Sequence, residues 1–313
     1  MTEINNHNKK DDDDDDNEPL PLVNFRPVLP GRNSNLYRSS APEAVMTHVK
    51  KSNSCSNGNV PEERTMGDQF ILKEANLILD LRSYNEGDSA SKEELVTQAP
   101  GGAFQLLVMD QTPFPEQFDR SQRYMVRMDL LGDRKQFLQF IDTNWLQPKE
   151  LDGLDDQAIL MKRRSSISSR GLAGMNQLLL ERKVSICNIL KLITQFLEQV
   201  PDAKMLIHCT AGKDRTGMIC MLLQSVAGFT DEEIITEYTI SEIEAKDIMA
   251  KALQRHANPL IDPDIMSGAN KEGMEGALFH LRSTYGSVDN YLEDIGFDDS
   301  WRVRLQQVIV NTK

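Results

Sequence analysis

The chain has 313 residues, a hydrophobic content of 39% and a formal net charge of −13. The length allows one large domain or two small ones, the apolar fraction supports a real core, and the acidic balance argues against a broad nucleic-acid surface, which needs clustered Lys and Arg. No apolar run reaches the roughly 18 residues of a membrane span, so no integral membrane segment is expected.

Residues 1–18 are predicted to be a disordered acidic tail. The six aspartates Asp11 to Asp16 repel one another and have nothing to bury. This start has no apolar core, so it reads as neither a secretion signal nor a transit peptide. From residue 19 to 313 the composition is that of a single globular domain. Four short apolar runs, 75–81, 104–110, 123–131 and 203–208, fit strands of a sheet covered on both faces. Residues 176–200 carry apolar positions at helical spacing. A further helix is expected after Arg215, with Gly228 as its stop. Another spans 230–256, opened by a capping box of Thr230 and Glu233. The C-terminal part reads as three short helices broken at Gly286 and Gly296. Strands alternating with helices give an α/β fold, a four- to five-stranded, mostly parallel sheet flanked by helices. Two polar stretches, 50–63 and 151–174, have no firm period and read as surface insertions. The second contains "KRRSSISSR", read as a solvated loop, with a kinase target or a substrate-facing basic patch as alternatives. Four cysteines (Cys55, Cys187, Cys209, Cys220) without disulfide-type spacing suit a reducing cytosol or nucleus.

The chemistry is concentrated in "MLIHCTAGKDRTG". The apolar stretch makes a strand, and Cys209 stands at its C-terminal end, where open α/β sheets bind ligands. The helix restarts near Thr216. The backbone amides of Thr210, Ala211, Gly212, Lys213, Asp214 and Arg215 therefore converge, with a helix N-terminus behind them. Such a site attracts a tetrahedral oxyanion and stabilises a thiolate, so Cys209 is expected to titrate below the ordinary value of about 8.5. Gly212 lets the loop fold tightly. Arg215 is a planar fork suited to two phosphate oxygens. His208 is placed to bond the loop backbone, and the Thr216 hydroxyl to reach the sulfur. Attack of the thiolate on phosphorus, with Arg215 and the amides taking up charge, gives a phosphocysteine that water hydrolyses. The nucleotide P-loop pattern is excluded, because Gly212-Lys213 is followed by Asp214 rather than Ser or Thr.

"HCTAGKDRTG" resembles the active-site loop of the cysteine-dependent tyrosine phosphatase superfamily, and more narrowly the bacterial-type tyrosine/serine phosphatase family. "NFRPV…GRNSNLYRSS", "LILDLRSYNE", "ITEYTIS" and "YGSVDNYLEDIGF" resemble further elements of that family. The resemblance implies a tyrosine-phosphatase-like fold and hydrolysis of phosphate monoesters on phosphotyrosine and phosphoserine/threonine, or on a phosphoinositide. Covalent catalysis by a thiolate needs no metal, and no cofactor is expected. Pro27 follows Asn-Phe-Arg where the family usually has an aspartate. The leaving oxygen needs a proton. Asp129 occupies the place of the superfamily's acid loop, Asp133 lies four residues on, and the Lys213-Asp214 pair implies a role for Asp214. Loop capping and ion pairing are the competing readings of Asp129 and Asp214. Lys213 adds a positive charge to the loop, which favours highly anionic headgroups. Asp80 is expected to order a loop through Arg82, Arg26 and Arg38 to sit in buried ion pairs, and Cys220, Trp145 and Trp301 to pack. The five histidines form no ligand cluster, so no metal is expected. A catalytically inactive phosphate-binding module and another thiolate-loop enzyme, such as a sulfur transferase or arsenate reductase, are the rival classes.

Overall fold

The structure, a computed structural model, describes residues 22–32, 35–42, 45, 66–83, 86, 89–108, 115–132, 134–255, 260 and 268–310. The acidic tail, the insertion at 50–63, Cys55 and Asp133 lie outside the described residues. Six strands form one sheet: β1 (Arg26–Pro27), β2 (Leu36–Ser39), β3 (Ala75–Asp80), β4 (Phe104–Val108), β5 (Arg123–Arg127) and β6 (Lys204–His208). Their order is β1-β2-β6-β3-β5-β4. β1 and β2 are antiparallel, and every other neighbouring pair is parallel. All four apolar runs are strands. The sheet exceeds the expected four or five because β1 has two residues and β2 reads Leu-Tyr-Arg-Ser, so neither carries an apolar signature.

The described helices are α1 (Met66–Gln69), which runs on as a π-type turn over Phe70–Glu74, α2 (Ser89–Gln98), α3 (Arg134–Asn144), α4 (Asp156–Leu180), α5 (Lys183–Gln199), α6 (Asp214–Val226), α7 (Asp231–Arg255), α8 (Lys271–Tyr285), α9 (Val288–Asp294) and α10 (Asp299–Val310). None is long and apolar enough to cross a membrane. The strands alternate between two cores. Leu77, Leu79, Val126, Met205 and Ile207 join the main cluster with residues of α5, α6, α9 and α10. Ile78, Met125 and Leu206 point the other way, onto Phe70, Ile71, Leu72 and Leu95. Burial on both faces is why the runs of β3, β5 and β6 are continuously apolar; the run of β4 departs from this, because β4 is an edge strand with Gln105 and Leu106 exposed. In α6 every residue from Met218 to Leu223 is buried, so that helix lies inside the domain.

Two expectations are corrected. Residues 151–174 are largely helix rather than loop. α4 begins at the N-cap Asp155, whose carboxylate accepts from the Ala158 amide, and bends at Gly171 (φ 55°, ψ −151°). Its period is hidden because small residues do the packing: a Cβ on Gly276 of α8 would stand 2.5 Å from Ala173 Cβ. Asn176 Nδ2 ties the two helices together by donating to the Gly273 carbonyl at 3.0 Å. The expected helix over 176–200 is two helices. The break falls at Glu181 and Arg182, where Arg182 has ψ 48°. Tyr291 donates to the Leu180 carbonyl there at 2.6 Å. The apolar spacing runs on across the break because both helices face the same core. The capping signals are realised: Phe229 N donates to Gln224 O and Gly228 N to Ser225 O, with φ +82° at Gly228. Thr230 and Glu233 exchange backbone-to-side-chain hydrogen bonds at 2.7 and 3.3 Å.

The register positions the site. Ser39, His208, Asp80 and Arg127 form one row across β2, β6, β3 and β5. The segments leaving these four strands therefore emerge together at one C-terminal edge. The opposite end is pinned by Arg123. Its guanidinium donates to the carbonyls of Ala75 (2.8 Å), Leu72 (3.1 Å), Gly102 (2.9 Å) and Ile71 (2.6 Å) and lies 3.9 Å from the Phe104 ring centroid. Burial lowers its pKa to about 10, which leaves it charged at neutral pH. Removing it strands several carbonyls at once. Arg123→Met is expected to lower unfolding free energy by about 3 kcal/mol in urea denaturation; a change below about 1 kcal/mol would show that water replaces the guanidinium at no cost.

Candidate active site

Cys209 follows β6 directly and is buried, and α6 begins five residues later at Asp214. Between them, four consecutive carbonyls are each held from outside. His208 Nδ1 lies 3.1 Å from Cys209 O; a carbonyl only accepts, so this nitrogen carries the proton. Ala41 N donates to Thr210 O at 3.0 Å. Asn24 Nδ2 donates to Ala211 O at 2.7 Å, and Arg38 Nη2 to Gly212 O at 2.7 Å. In a trans peptide the carbonyl and the following N–H point in opposite directions. Anchoring the carbonyls outward therefore turns the amides of Thr210, Ala211, Gly212 and Lys213 inward. The amides of Thr210, Ala211 and Gly212 donate to no described residue. The first amides of α6 add to them, since a helix N-terminus leaves its N–H groups without intrahelical partners.

Gly212 is required twice over. Its φ is +66°, and a Cβ there would stand 2.2 Å from Ser39 O. The loop thus lies directly on the end of β2. Arg215 is fixed by a carboxylate that sequence reasoning did not single out. Its Nη1 and Nη2 donate to Glu86 Oε1 and Oε2 at 2.6 and 2.8 Å, and Nη2 also to Thr210 Oγ1 at 3.2 Å. Thr210 Oγ1 in turn donates to Glu86 Oε2 at 3.0 Å. Burial disfavours charge on both partners, but each outweighs this for the other. Arg215 titrates above its usual value, and Glu86 stays well below the usual carboxylate range.

The remaining predicted residues fall into two groups. His208 is fully buried, with Nε2 3.9 Å from Asp80 Oδ1. Asp80 accepts from Arg82 Nε and Nη2 at 2.8 and 2.9 Å and orders the turn after β3, as expected. Thr216 Oγ1 is buried and has no hydrogen-bond partner among the described residues. Lys213 departs from expectation. Its side chain is wholly buried, with the ammonium on the Gly268 carbonyl and 3.2 Å from Asp214 Oδ1. Asp214 is partly exposed, and its Oδ1 also accepts from Tyr238 at 3.4 Å. Asp129 lies two residues beyond β5, and its Oδ1 accepts from the amides of Leu131 and Gly132 at 2.9 Å each, a turn-capping arrangement. Cys220 is buried behind the loop; burial pushes its thiol up to about 12, so it stays protonated.

The Glu86–Arg215 pair has a pH signature. A carboxylate with a depressed folded-state pKa stabilises fully above its unfolded value of about 4.3 and loses that contribution as pH falls toward the folded value. The Tm difference between the wild type and Glu86→Gln is expected to be constant from pH 8 to about 5 and to shrink below about 4. A difference that grows on acidification would contradict the ion pair.

The profile of the tyrosine phosphatase family matches residues 63–311. A tyrosine-protein phosphatase of Nostoc commune is 37% identical over 131 residues, 37% of this chain and 44% of the relative. The triple specificity protein phosphatase PtpB of Mycobacterium tuberculosis is 26% identical over 120 residues, 34% of this chain and 44% of that protein. The chain thus spans less than half the length of these curated relatives. With Cys209 and Arg215 standing where a loop of inward amides meets a helix N-terminus, and with the family profile covering most of its length, the chain belongs to the tyrosine phosphatase family.

Proposed function

We propose that this chain is a metal-independent phosphatase acting on phosphoproteins, phosphotyrosine first and phosphoserine/threonine second, through a phosphocysteine. The observation that carries this reading is the outward anchoring of four successive carbonyls between Cys209 and Arg215. It creates a cradle of amide dipoles beside a thiol, with a guanidinium at its rim. The Cys209 thiolate attacks phosphorus in line, and the bond from phosphorus to the ester oxygen breaks. The amides and Arg215 hold the equatorial oxygens. Glu86 occupies the terminal nitrogens of Arg215, while its Nε bonds no described residue and remains for phosphate. Thr216 Oγ1 supports the sulfur as it leaves.

The departing oxygen takes a proton from Asp129 or Asp214. The same carboxylate then accepts a proton from water as water attacks the phosphocysteine. Inorganic phosphate leaves and the thiolate is restored. Protein substrates are favoured over polyphosphorylated headgroups because the ammonium of Lys213 is spent inside the fold. The names of the two relatives, a tyrosine-protein phosphatase and a triple specificity protein phosphatase, support the reaction class.

Purified wild type is expected to release p-nitrophenol from p-nitrophenyl phosphate in a vanadate-sensitive manner; no release would favour a phosphate-binding module. Cys209→Ser and Arg215→Ala are each expected to lower kcat by about 10³-fold or more, and activity within tenfold of wild type in either would overturn the mechanism. To assign the acid, Asp129→Asn and Asp214→Asn are compared on an alkyl and an activated aryl phosphate. The residue that donates the proton loses about 10²-fold more on the poor leaving group; equal losses on both substrates exclude it.

A further inference from the structure

Glu237 lies on α7, well beyond the loop in sequence, with a side chain only 5% exposed. Its two oxygens serve two different arginines. Oε1 accepts from Arg26 Nε at 2.7 Å, and Oε2 accepts from Arg38 Nη1 at 2.6 Å. Both arginines continue to the loop. Arg38 Nη2 donates to Gly212 O at 2.7 Å. Arg26 Nη1 donates to Asn24 Oδ1 at 3.0 Å, and Asn24 Nδ2 donates to Ala211 O at 2.7 Å. Ser241, one turn further along α7, accepts from Arg26 Nη2 at 2.8 Å and Arg38 Nη2 at 3.3 Å. One carboxylate is therefore the apex of a fork whose two arms end on consecutive carbonyls of the anion loop.

Stability alone does not require this arrangement. Buried charges lose hydration, and apolar side chains of similar volume often do as well. Geometry does require it. The peptide between Gly212 and Lys213 follows a residue with φ +66° and no side chain, which is where a backbone plane turns over most readily. Turned over, it would direct a carbonyl oxygen at the phosphate in place of an N–H. The Arg38 guanidinium is fully buried, and the Glu237 carboxylate offsets the cost of burying it.

We propose that Glu237 is a positioning residue for phosphate binding: through Arg38, and through Arg26 and Asn24, it holds back the Gly212 and Ala211 carbonyls and so aims the amides of Lys213 and Gly212 at the transferring phosphate. This rests on the phosphatase reading above.

The test is Glu237→Gln, which keeps volume and one acceptor but removes the charge shared by the two arms. The primary readout is orthovanadate binding by calorimetry, with KM and kcat on p-nitrophenyl phosphate beside it. The Kd for orthovanadate and KM are each expected to rise about tenfold, and kcat to fall about tenfold. A residue that serves only the fold would lower the active fraction and hence kcat, leaving Kd and KM unmoved. Arg123→Met, a destabilised control at the far end of the sheet, is expected to behave in that way. Wild-type Kd and KM in folded Glu237→Gln overturn the proposal. If that variant does not fold, Arg38→Lys is judged on the same constants, and if neither folds the fork is structural and the proposal falls. Wild type that binds orthovanadate without turnover breaks the phosphatase reading while the binding comparison still decides the role of Glu237. Wild type that does neither removes both.

Discussion

The site depends on one constraint of the peptide bond: a carbonyl fixed on one side of the chain sends the next N–H to the other. Between Cys209 and Lys213 this constraint is applied four times in succession, by His208, Ala41, Asn24 and Arg38. The anchors differ in chemistry, but they share one effect. They supply partners for oxygens that would otherwise compete for the pocket, and the curvature of the loop follows. The glycine with positive φ then becomes a necessity, because the loop must lie against Ser39 with no room for a Cβ.

Such a cradle must be rigid before the anion arrives. Amide dipoles that have to reorient contribute little to holding charge at the moment it develops. The rigidity comes from buried and partly buried ion pairs, a kind that rarely adds net stability. Arg38 and Arg26 meet Glu237, Arg215 meets Glu86, and Arg82 and Arg127 meet Asp80. They lie at the C-terminal edge of the sheet, whereas at the opposite edge Arg123 is held on backbone carbonyls and the Phe104 ring. These charge pairs are grouped at the end of the sheet that carries Cys209 and Arg215.

Much of this is legible in the residues. Continuous apolar runs mark β3, β4, β5 and β6, and Cys209 and Arg215 announce themselves by spacing and by the glycines around them. The turn signals at Gly228, Thr230, Gly286 and Gly296 are local chemistry and read correctly. What stays hidden acts at long range or through small side chains. Glu86 and Glu237 sit inside recognisable motifs, yet their partners lie 129 and 199 residues away along the chain. Burial of the Lys213 ammonium depends on Gly268, a contact no spacing rule encodes. The part of α4 before residue 176 escapes pattern reading because it meets α8 through alanine and glycine.

Two strands too short to attract notice, β1 and β2, and the residues flanking them carry a disproportionate share of the pocket. Asn24, Arg38 and Ala41 grip three of the four loop oxygens, and all of them precede residue 63, where the family profile begins. A fragment cut to the matched boundaries would retain Cys209, the Arg215 guanidinium and every glycine of the loop, and would still lack the back wall that gives them their shape. Ranking such chains by the aligned segment alone therefore overlooks the part that decides whether an intact signature is also a competent one.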